Sequence, residues 1–335
     1  MVFELGNAIK KINEYNYKES EEKSLNIAYG IDKNFLFGAA VSITSIILNN
    51  KDINLNFHIF TDYESDEFSI KCNELAEENK ISISVYYISS DFFSMLPISN
   101  AWSIATYYRF IAFEYLSEKI DSVLYLDADV MCKGSLLELL NYNFFERYAA
   151  VIPDVAEIRE KTGERLKNSE LNHSYFNAGV MLVKLNKWKE NGFFEKALSL
   201  LLDKNNKFQF FDQDVLNLLY VGNVQFLSNN FNCIYGIKQE LKNRDITRYK
   251  ETITESTKLI HYIGVTKPWN TWADYPSAQY FVRPWKLSPW ADQPLVGART
   301  PKQFKKKSRH ERLQGKYATS IISYIQYLLA KLKSK

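Results

Sequence analysis

Short apolar runs alternate with amphipathic stretches between residues 25 and 130. Four runs rich in branched and aromatic residues predict buried strands at 25–31, 55–61, 81–88 and 122–127. The stretches between them predict helices at 36–49, 66–79 and 103–118. This β-α-β-α-β-α-β order is typical of an α/β domain with a mostly parallel sheet, whose ligand site lies beyond the carboxyl ends of the strands. The first strand is not followed by GxGxxG, so a dinucleotide-binding fingerprint is absent.

The second half of the chain is predicted to be less regular. We expect strands at 148–153 and 178–185 and helices at 193–202 and 212–220. The polar segment 155–172 is predicted to be a loop.

The C-terminal third of the chain changes in composition. Residues 268–300 contain five prolines and four tryptophans, which predicts an irregular packed segment and a domain boundary. In 316–335 the apolar residues are close to helical spacing.

The charge of the chain is unevenly distributed. The net charge is +3, but residues 301–335 hold ten Lys or Arg and the single acid Glu311. The tail therefore carries +9, which leaves −6 on the other 300 residues. Basic residues followed by an amphipathic helix favour an anionic membrane surface as the partner of this tail. A solvated, partly disordered tail and a nucleic-acid-binding arm are the alternatives.

Other counts exclude several classes of protein. Three separated cysteines without a CxxC motif exclude a disulfide framework, a zinc ribbon and a thioredoxin-like site, and indicate buried thiols in a reducing compartment. The first 23 residues lack a continuous apolar stretch, so we expect no secretory signal. Apolar runs of about 20 residues are also absent, so we expect no membrane span.

The strongest candidate for chemistry is Asp127-Ala128-Asp129 at the end of an apolar strand. Carboxylates two positions apart share a face and can converge on one hard cation. Surface acids or a helix cap are the alternatives. Further along the chain, His261 is one of four histidines and stands six residues before Lys267. An imidazole can complete a carboxylate metal site and a lysine can pair with a phosphate, although a lone histidine is usually structural.

Three other segments are candidates for ligand contacts. Gly30, Asp32 and Asn34 follow the first strand, where glycine lets a ligand approach the backbone and Asp32 is placed either to accept from a uracil ring or to cap a helix. The small residues beside Asn177 suit contact with a sugar hydroxyl, or simple packing at a strand edge. The polar residues in 211–214 are suited either to capping a helix or to lining a polar pocket.

Six segments together resemble glycosyltransferase family 8, in the branch of bacterial lipopolysaccharide core hexosyltransferases. They occur in this order: YGIDKNF, TYYRF, YLDADV, YFNAGV, FDQDV and HYIGVTKPW. The resemblance runs from about residue 25 to about residue 290. It implies a GT-A fold, a divalent metal (Mn²⁺ or Mg²⁺) and a UDP-hexose donor. Together with the charge pattern of the tail, it divides the chain into an N-terminal extension at 1–24, a catalytic domain at 25–285 and a basic membrane-associating segment at 286–335.

The resemblance assigns roles to positions of this sequence. Asp127, Asp129 and His261 resemble metal ligands that hold the diphosphate. Among the remaining donor-binding positions, those around the uridine are Gly30, Asp32 and Asn34, and those at the diphosphate are Gly264 and Lys267. The positions around the sugar are Asn177, Ala178, Gly179, Asp212 and Gln213. Arg109 resembles the residue that reaches both the sugar and the diphosphate, and Ala128 lies between the two metal-ligand aspartates.

The catalytic positions implied by the resemblance are Gln213, Asp212 and Asp154. Gln213 matches a proposed nucleophile, but an amide oxygen is a poor one, so attack from the departing face is favoured. Asp154 resembles an acceptor-side acid within a looser match, and the segments 155–172 and 230–257 are expected to form acceptor-side loops.

The predicted protein is a retaining hexosyltransferase that transfers glucose or galactose to the lipopolysaccharide core through an α1,2 or α1,3 linkage. It is expected to work in the cytoplasm, on the inner face of the membrane, without nucleic acid. A metal-dependent nucleotide-sugar hydrolase and a silent sugar-binding protein are the alternatives.

Overall fold

The computed structural model describes residues 8–20, 22–89, 91–98, 103–242 and 245–333. The described strands are β1 (Ile9–Asn16), β2 (Ser24–Ile31), β3 (Asn54–Thr61), β4 (Ser82–Ile88), β5 (Ser122–Leu126), β6 (Val130–Cys132), β7 (Ala149–Pro153), β8 (Phe176–Lys184), β9 (Val224–Phe226), β10 (Cys233–Tyr235) and β11 (Leu259–Tyr262). They form an eight-stranded sheet in the order β1-β4-β3-β2-β5-β8-β7-β9 and a three-stranded sheet in the order β10-β11-β6.

The large sheet is parallel at its centre. Strands β2, β3, β4 and β5 pair in parallel, whereas β8 is antiparallel to both β5 and β7. At one edge β1 pairs antiparallel with β4, so residues of the predicted N-terminal extension belong to this sheet. The α/β class with a mostly parallel central sheet, predicted from the sequence, is confirmed.

The described α-helices are α1 (Leu36–Asn49), α2 (Asp66–Asn79), α3 (Tyr108–Leu116), α4 (Leu137–Leu140), α5 (Ala156–Arg165), α6 (Leu171–Ser174), α7 (Leu185–Glu190), α8 (Phe193–Leu202), α9 (Phe211–Tyr220), α10 (Gln279–Lys286), α11 (Pro301–Leu313) and α12 (Tyr317–Lys333). A 3-10 turn at Ile104–Tyr107 leads into α3. The helices predicted at 36–49, 66–79 and 193–202 match α1, α2 and α8 residue for residue.

The loop predicted at 155–172 is wrong, because this segment contains α5 and the start of α6. Its sequence lacks an apolar stripe, and its mean hydropathy is that of a solvated stretch. Contacts with the rest of the fold hold it instead: Gly163 N donates to Asn172 Oδ1 at 2.7 Å, and Arg165 pairs with the buried Asp214. Tertiary contacts have therefore outweighed the local pattern.

Both faces of the large sheet are buried at its central strands. Along β2, Ile27 and Tyr29 enter one apolar cluster with α1, whereas Ala28 enters a second cluster with α3. This explains why the central strands are almost uniformly apolar in sequence. The covered sheet leaves the carboxyl ends of β2 and β5 as the open edge at which polar side chains gather.

The C-terminal helices α11 and α12 form a hairpin with an unusual distribution of side chains. The buried residues of α12 are two serines, Ser320 and Ser323, and Ser323 is only 1% exposed and donates to Glu311 Oε2 at 2.7 Å. Its apolar residues face outward, with Ile321 63% and Leu332 69% exposed. Within the described residues, every helix is too short or too polar to cross a bilayer.

Candidate active site

Two carboxylates and one imidazole meet where the two sheets join. Asp127 and Asp129 lie in the short connection between β5 and β6. Strand β11 pairs antiparallel with β6 and places His261 opposite Val130. Consequently His261 Nε2 lies 3.2 Å from Asp129 Oδ1 and 4.0 Å from Asp127 Oδ2. One ligand atom of each of the three residues lies within 4.8 Å of the others.

The orientation of His261 is set by two asparagines. Asn177 Oδ1 accepts from Gly179 N at 3.1 Å and from Asn232 Nδ2 at 3.0 Å. The Asn232 amide is thereby oriented with its oxygen toward His261 Nδ1, at 3.1 Å. The Nδ1 atom must then carry the proton that is donated, so Nε2 is the atom turned toward the carboxylates. A metal-ligating histidine typically has such a partner on its other nitrogen.

Charges around Asp129 shift two pKa values. Burial alone would raise the pKa of the Asp129 carboxyl, but Lys267 and His261 outweigh it and hold that pKa well below its usual range. Burial alone would lower the pKa of His261, yet the negative charges of Asp129 and Asp127 raise it on balance. Asp129 therefore remains a charged ligand group throughout the physiological range.

Glycine at position 179 is required by a close approach. A Cβ built there would lie 2.4 Å from His261 Cε1 and 2.9 Å from Asp127 Oδ2. Real side chains do not tolerate such distances, so any larger residue would displace the imidazole or the carboxylate. The glycine at position 179 is thus explained by its packing against His261 and Asp127, two of the metal-ligand candidates.

Arg109 is the buried cation at the centre of the site. Its guanidinium donates to Asp127 Oδ1 and to Ala178 O, each at 2.8 Å, and its Nε lies 3.0 Å from Asp212 Oδ2. It also lies 4.3 Å from the centroid of the Tyr125 ring. Burial raises the pKa of Asp212, and the positive charge of Arg109 acts against that shift. This cation therefore links the predicted metal ligand to the predicted sugar pocket.

Gln213 and Asp154 are in direct contact. Gln213 Nε2 donates to Asp154 Oδ2 at 2.8 Å and to the Tyr175 hydroxyl at 3.0 Å. On its other side, Gln213 Oε1 accepts from Ala178 N at 2.9 Å. The structure thus brings together the looser acceptor-side match at Asp154 and the residue at the position of a proposed nucleophile.

The predicted uridine turn lies at the carboxyl end of β2. Gly30 N donates to the Tyr125 hydroxyl at 3.3 Å, and this tyrosine ring also stacks under Arg109. Asp32 Oδ1 accepts from Asn34 N at 2.8 Å, and Asp32 Oδ2 accepts from Ser103 Oγ at 2.8 Å. Asp32 therefore stabilises the turn that leads into α1, but it does not cap this helix, whose N-cap is Phe35 without a side-chain hydrogen bond.

Lys267 lies on the metal-ligand candidates rather than apart from them. Its Nζ pairs with Asp129 Oδ2 and donates to Tyr262 O at 2.9 Å. Gly264, three positions earlier, has a φ of +92°, a conformation that favours glycine. The predicted diphosphate-binding segment is thus a tight turn that leads the lysine back toward Asp129.

The donor set fits a divalent cation. Asp129 Oδ1 is buried and receives no hydrogen bond from the described residues, even though His261 Nε2 is close to it. Two carboxylates and an imidazole are a ligand set that Mn²⁺ and Mg²⁺ accept. A cation between these atoms would satisfy the buried oxygen.

Sequence reasoning missed three polar residues at this site. Asn232, which orients His261, lies in a segment where the resemblance is weak. Tyr175 and Thr106 are the first residues of YFNAGV and TYYRF but were assigned no role, and Thr106 Oγ1 donates to Asp212 Oδ1 at 2.7 Å.

Comparisons with known proteins agree with this geometry. The family model "Glycosyl transferase family 8" matches residues 26–273, and "Glycosyl transferase family 8 C-terminal" matches residues 275–331. The chain is 43% identical over 98% of both chains to a lipopolysaccharide 1,2-glucosyltransferase of Escherichia coli (strain K12). It is 38% identical to a lipopolysaccharide 1,3-galactosyltransferase of Salmonella typhimurium, over 97% of this chain and 96% of that protein.

The fold is also similar to that of a solved structure. A crystal structure of the galactosyltransferase LgtC, in complex with donor and acceptor sugar analogs, superposes with a TM-score of 0.67. The match covers 79% of this chain and 96% of LgtC, at 23% sequence identity. This similarity in structure confirms the GT-A-type fold predicted from the sequence.

Proposed function

Because the chain belongs to glycosyl transferase family 8, we propose that it transfers a hexose from a UDP-hexose to the lipopolysaccharide core with retention of configuration. The hexose is glucose or galactose, and the new bond is α1,2 or α1,3. The observation that carries the proposal is the buried cluster of Asp127, Asp129 and His261, with Arg109 and Lys267 in direct contact with its carboxylates. A cation site and positive side chains together suit the negative charge that develops on the leaving diphosphate of a nucleotide sugar.

The three cluster residues would hold Mn²⁺ or Mg²⁺. Such an ion supplies Lewis-acid stabilisation of the charge that builds on a diphosphate leaving group. The chain contributes Lys267 and Arg109 as further positive charges for the same diphosphate. Both cations are already paired with carboxylates, so they are held in place before the donor arrives.

Loss of the leaving group places positive character on the sugar ring. Asp212 is buried against Arg109 and contributes negative charge near the predicted sugar pocket. Asn177, Ala178 and Gly179 lie on the same side of the site, where the Ala178 carbonyl accepts from Arg109 at 2.8 Å. These residues would bind and orient the hexose while water is kept out.

Attack from the departing face is the mechanism that the contacts of Gln213 favour. Its Oε1 atom is held by Ala178 N–H, and a neutral amide oxygen is a poor nucleophile. In a front-face reaction the acceptor hydroxyl passes its proton to the departing phosphate oxygen as the new C–O bond forms. Isolation of a glycosyl-enzyme adduct from the unmodified chain would contradict this mechanism.

The helical hairpin is the part of the chain that we propose to bind the anionic inner face of the cytoplasmic membrane. The apolar residues of α12 are exposed, and α11 presents lysines and arginines next to them. Burial and the neighbouring positive charges of Lys238, Arg309, Lys302 and Lys305 lower the pKa of Lys306. Such crowded positive charge is stabilised by anionic headgroups, while the apolar stripe enters the acyl boundary.

A single experiment separates the proposed substrates. UDP-glucose and UDP-galactose are supplied in parallel, with manganese, to a panel of truncated core acceptors, and the linkage of each product is assigned by NMR. We expect one donor to be preferred and product to form only with an acceptor of defined length. Release of free hexose at equal rates with and without acceptor would contradict transfer and indicate a hydrolase.

A further inference from the structure

The segment between β7 and β8 is joined to α9 at three points. Asp154 follows β7 and contacts Gln213, Arg165 ends α5 and contacts Asp214, and Tyr175 precedes β8 and contacts both. The helices α5 and α6 are therefore not a free surface flap. They are tied to the helix end that carries the predicted sugar pocket.

Asp214 is the hub of these contacts. It is fully buried and accepts five hydrogen bonds. The Arg165 guanidinium donates two of them, at 2.5 and 2.8 Å, and the Tyr175 hydroxyl donates a third at 2.6 Å. The backbone N–H groups of Gln209 and Phe210 donate the others, at 2.8 and 3.0 Å. A carboxylate bound on all sides is structurally rigid and is not available to substrate.

The direction of each hydrogen bond fixes the Gln213 amide. Since the Tyr175 hydroxyl donates to Asp214, its oxygen is left to accept from Gln213 Nε2. The second proton of Nε2 goes to Asp154 Oδ2, and Oε1 receives Ala178 N–H. Reversing the amide would place its oxygen against two acceptors. Burial and the Asp214 charge both raise the pKa of Tyr175, so its hydroxyl stays protonated as a donor.

The chain of contacts continues to the donor side of the site. Ala178 donates to Gln213 through its N–H, and its carbonyl accepts from Arg109. A continuous path of hydrogen bonds therefore begins at Arg165 and Asp214 and passes through Tyr175. It ends at Gln213, Ala178 and Arg109.

From this path we propose that Tyr175 and Arg165 are positioning residues for sugar transfer, which act by holding the Gln213 amide in one orientation. The proposal rests on the proposed function. It goes beyond it because neither residue is expected to touch the donor or the metal. Their effect reaches the reaction only through Gln213 and Ala178.

The test is a double-mutant cycle between Tyr175→Phe and Gln213→Ala. In the otherwise unmodified chain, Tyr175→Phe is expected to lower kcat about tenfold, as loss of one oriented hydrogen bond does, with the donor KM changed less than about twofold. In the Gln213→Ala background the same substitution is expected to change kcat less than about twofold, because Tyr175 then has no side-chain amide to hold in place. Tyr17→Phe is the matched control, since Tyr17 donates to Asn73 at 2.9 Å on a distant edge of the sheet.

Additive effects of the two substitutions would overturn the proposal, as would a Tyr175→Phe kcat equal to that of Tyr17→Phe. If Tyr175→Phe fails to fold, Arg165→Lys takes its place, because it keeps the charge and removes the two-pronged contact with Asp214. Its kcat loss should likewise disappear in the Gln213→Ala background, and an additive loss would overturn the proposal. Failure of the unmodified chain to transfer from either donor would instead contradict the proposed function, and this inference with it.

Discussion

At the scale of single residues, the site is a set of charges that balance one another within a few ångströms. Asp127 is paired with Arg109, and Asp129 with Lys267. The one buried oxygen among them that accepts no hydrogen bond from the described residues is Asp129 Oδ1, beside His261. A cation is expected at this position. A substitution at Asp129 tests the charge of a proposed ligand, and a substitution at Gly179 tests the packing that holds the ligands in place.

Replacing Asp129 by Asn removes the charge of a proposed metal ligand while keeping its shape. We expect Asp129→Asn to lower manganese-dependent transfer by at least about 100-fold, with the circular dichroism spectrum of the folded protein retained. Asp52→Asn, at an exposed position distant in sequence from the site, serves as the control. Near-normal transfer at limiting manganese would exclude Asp129 as a ligand.

Adding one methyl group at position 179 tests the same site through packing. In Gly179→Ala, the new Cβ would clash with His261 and Asp127, so we expect the manganese concentration for half-maximal activity to rise about tenfold or more. Gly297→Ala is the matched control, because a Cβ there meets no described atom within 4 Å. An unchanged manganese titration for Gly179→Ala would mean that the His261 position does not matter for the metal.

The sequence pointed to most of these residues but not to their connections. Asp127, Asp129 and His261 were recognisable because they lie within quoted motifs, and pairing of β11 with β6 then brings them together. Asn232 could not be found in this way, since its role depends on where its segment crosses the sheet edge. Periodicity carries information about which face a residue occupies, but not about such side-chain partners.

At the scale of whole elements, hydrophobic pattern decided which helices could be predicted. The helix α8 has a clear apolar face, and its bounds follow from sequence. The helix α5 has none, and it is held by Arg165 and by its contact with α6. The helix α11 is similarly polar, so its basic residues were recognised as a charged segment rather than as a helix.

The helix α11 is attached to the domain through His310, which makes this attachment sensitive to pH. The imidazole is buried, with Nδ1 2.8 Å from the Tyr275 hydroxyl and Nε2 3.4 Å from Thr266 Oγ1. Burial, with Lys306 and Arg309, lowers the pKa of His310 to about 4. In the unfolded chain His310 therefore becomes protonated near pH 6.5, whereas in the folded chain it becomes protonated only near pH 4.

The sign of this linkage gives a prediction for stability. The contribution of neutral His310 to the free energy of unfolding is complete above about pH 6.5. It is lost as the pH falls toward 4, and the loss is about 3 kcal/mol at most. We expect the free energy of unfolding, measured by urea titration, to fall over this range and to fall less in His310→Gln. Identical pH slopes for the two proteins would show that His310 does not carry the effect.

At the scale of the molecule, the small net charge of +3 conceals two parts of opposite sign. The body is mildly acidic, and its donor-facing cations are local to the site. Six of the ten basic residues of the tail lie on α11, which packs on α12, and α12 exposes its apolar side. Polar contacts join the two helices, including Ser320 Oγ donating to Ser308 O at 2.8 Å. This arrangement suits an enzyme that works on an acceptor held in a lipid surface.

Charge reversal on α11 tests the proposed surface. We expect Lys302→Glu combined with Lys305→Glu to weaken binding to vesicles containing phosphatidylglycerol by roughly 30-fold or more, at about 1 kcal/mol for each lysine. Lys51→Glu combined with Lys204→Glu, at exposed positions of the body, is the charge-matched control. Equal losses in the two variants would contradict a docking face on the tail, and so would equal binding of the unmodified chain to purely zwitterionic vesicles.

The measurement that tests the central claim most directly is proton NMR of the transfer reaction, followed with and without manganese. The account predicts that the product of the preferred UDP-hexose carries an α-anomeric signal, that the signal depends on the ion, and that it is lost in Asp129→Asn. A β-anomeric product would contradict retention, and equal formation of product without any divalent ion would contradict the role assigned to the Asp127, Asp129 and His261 cluster.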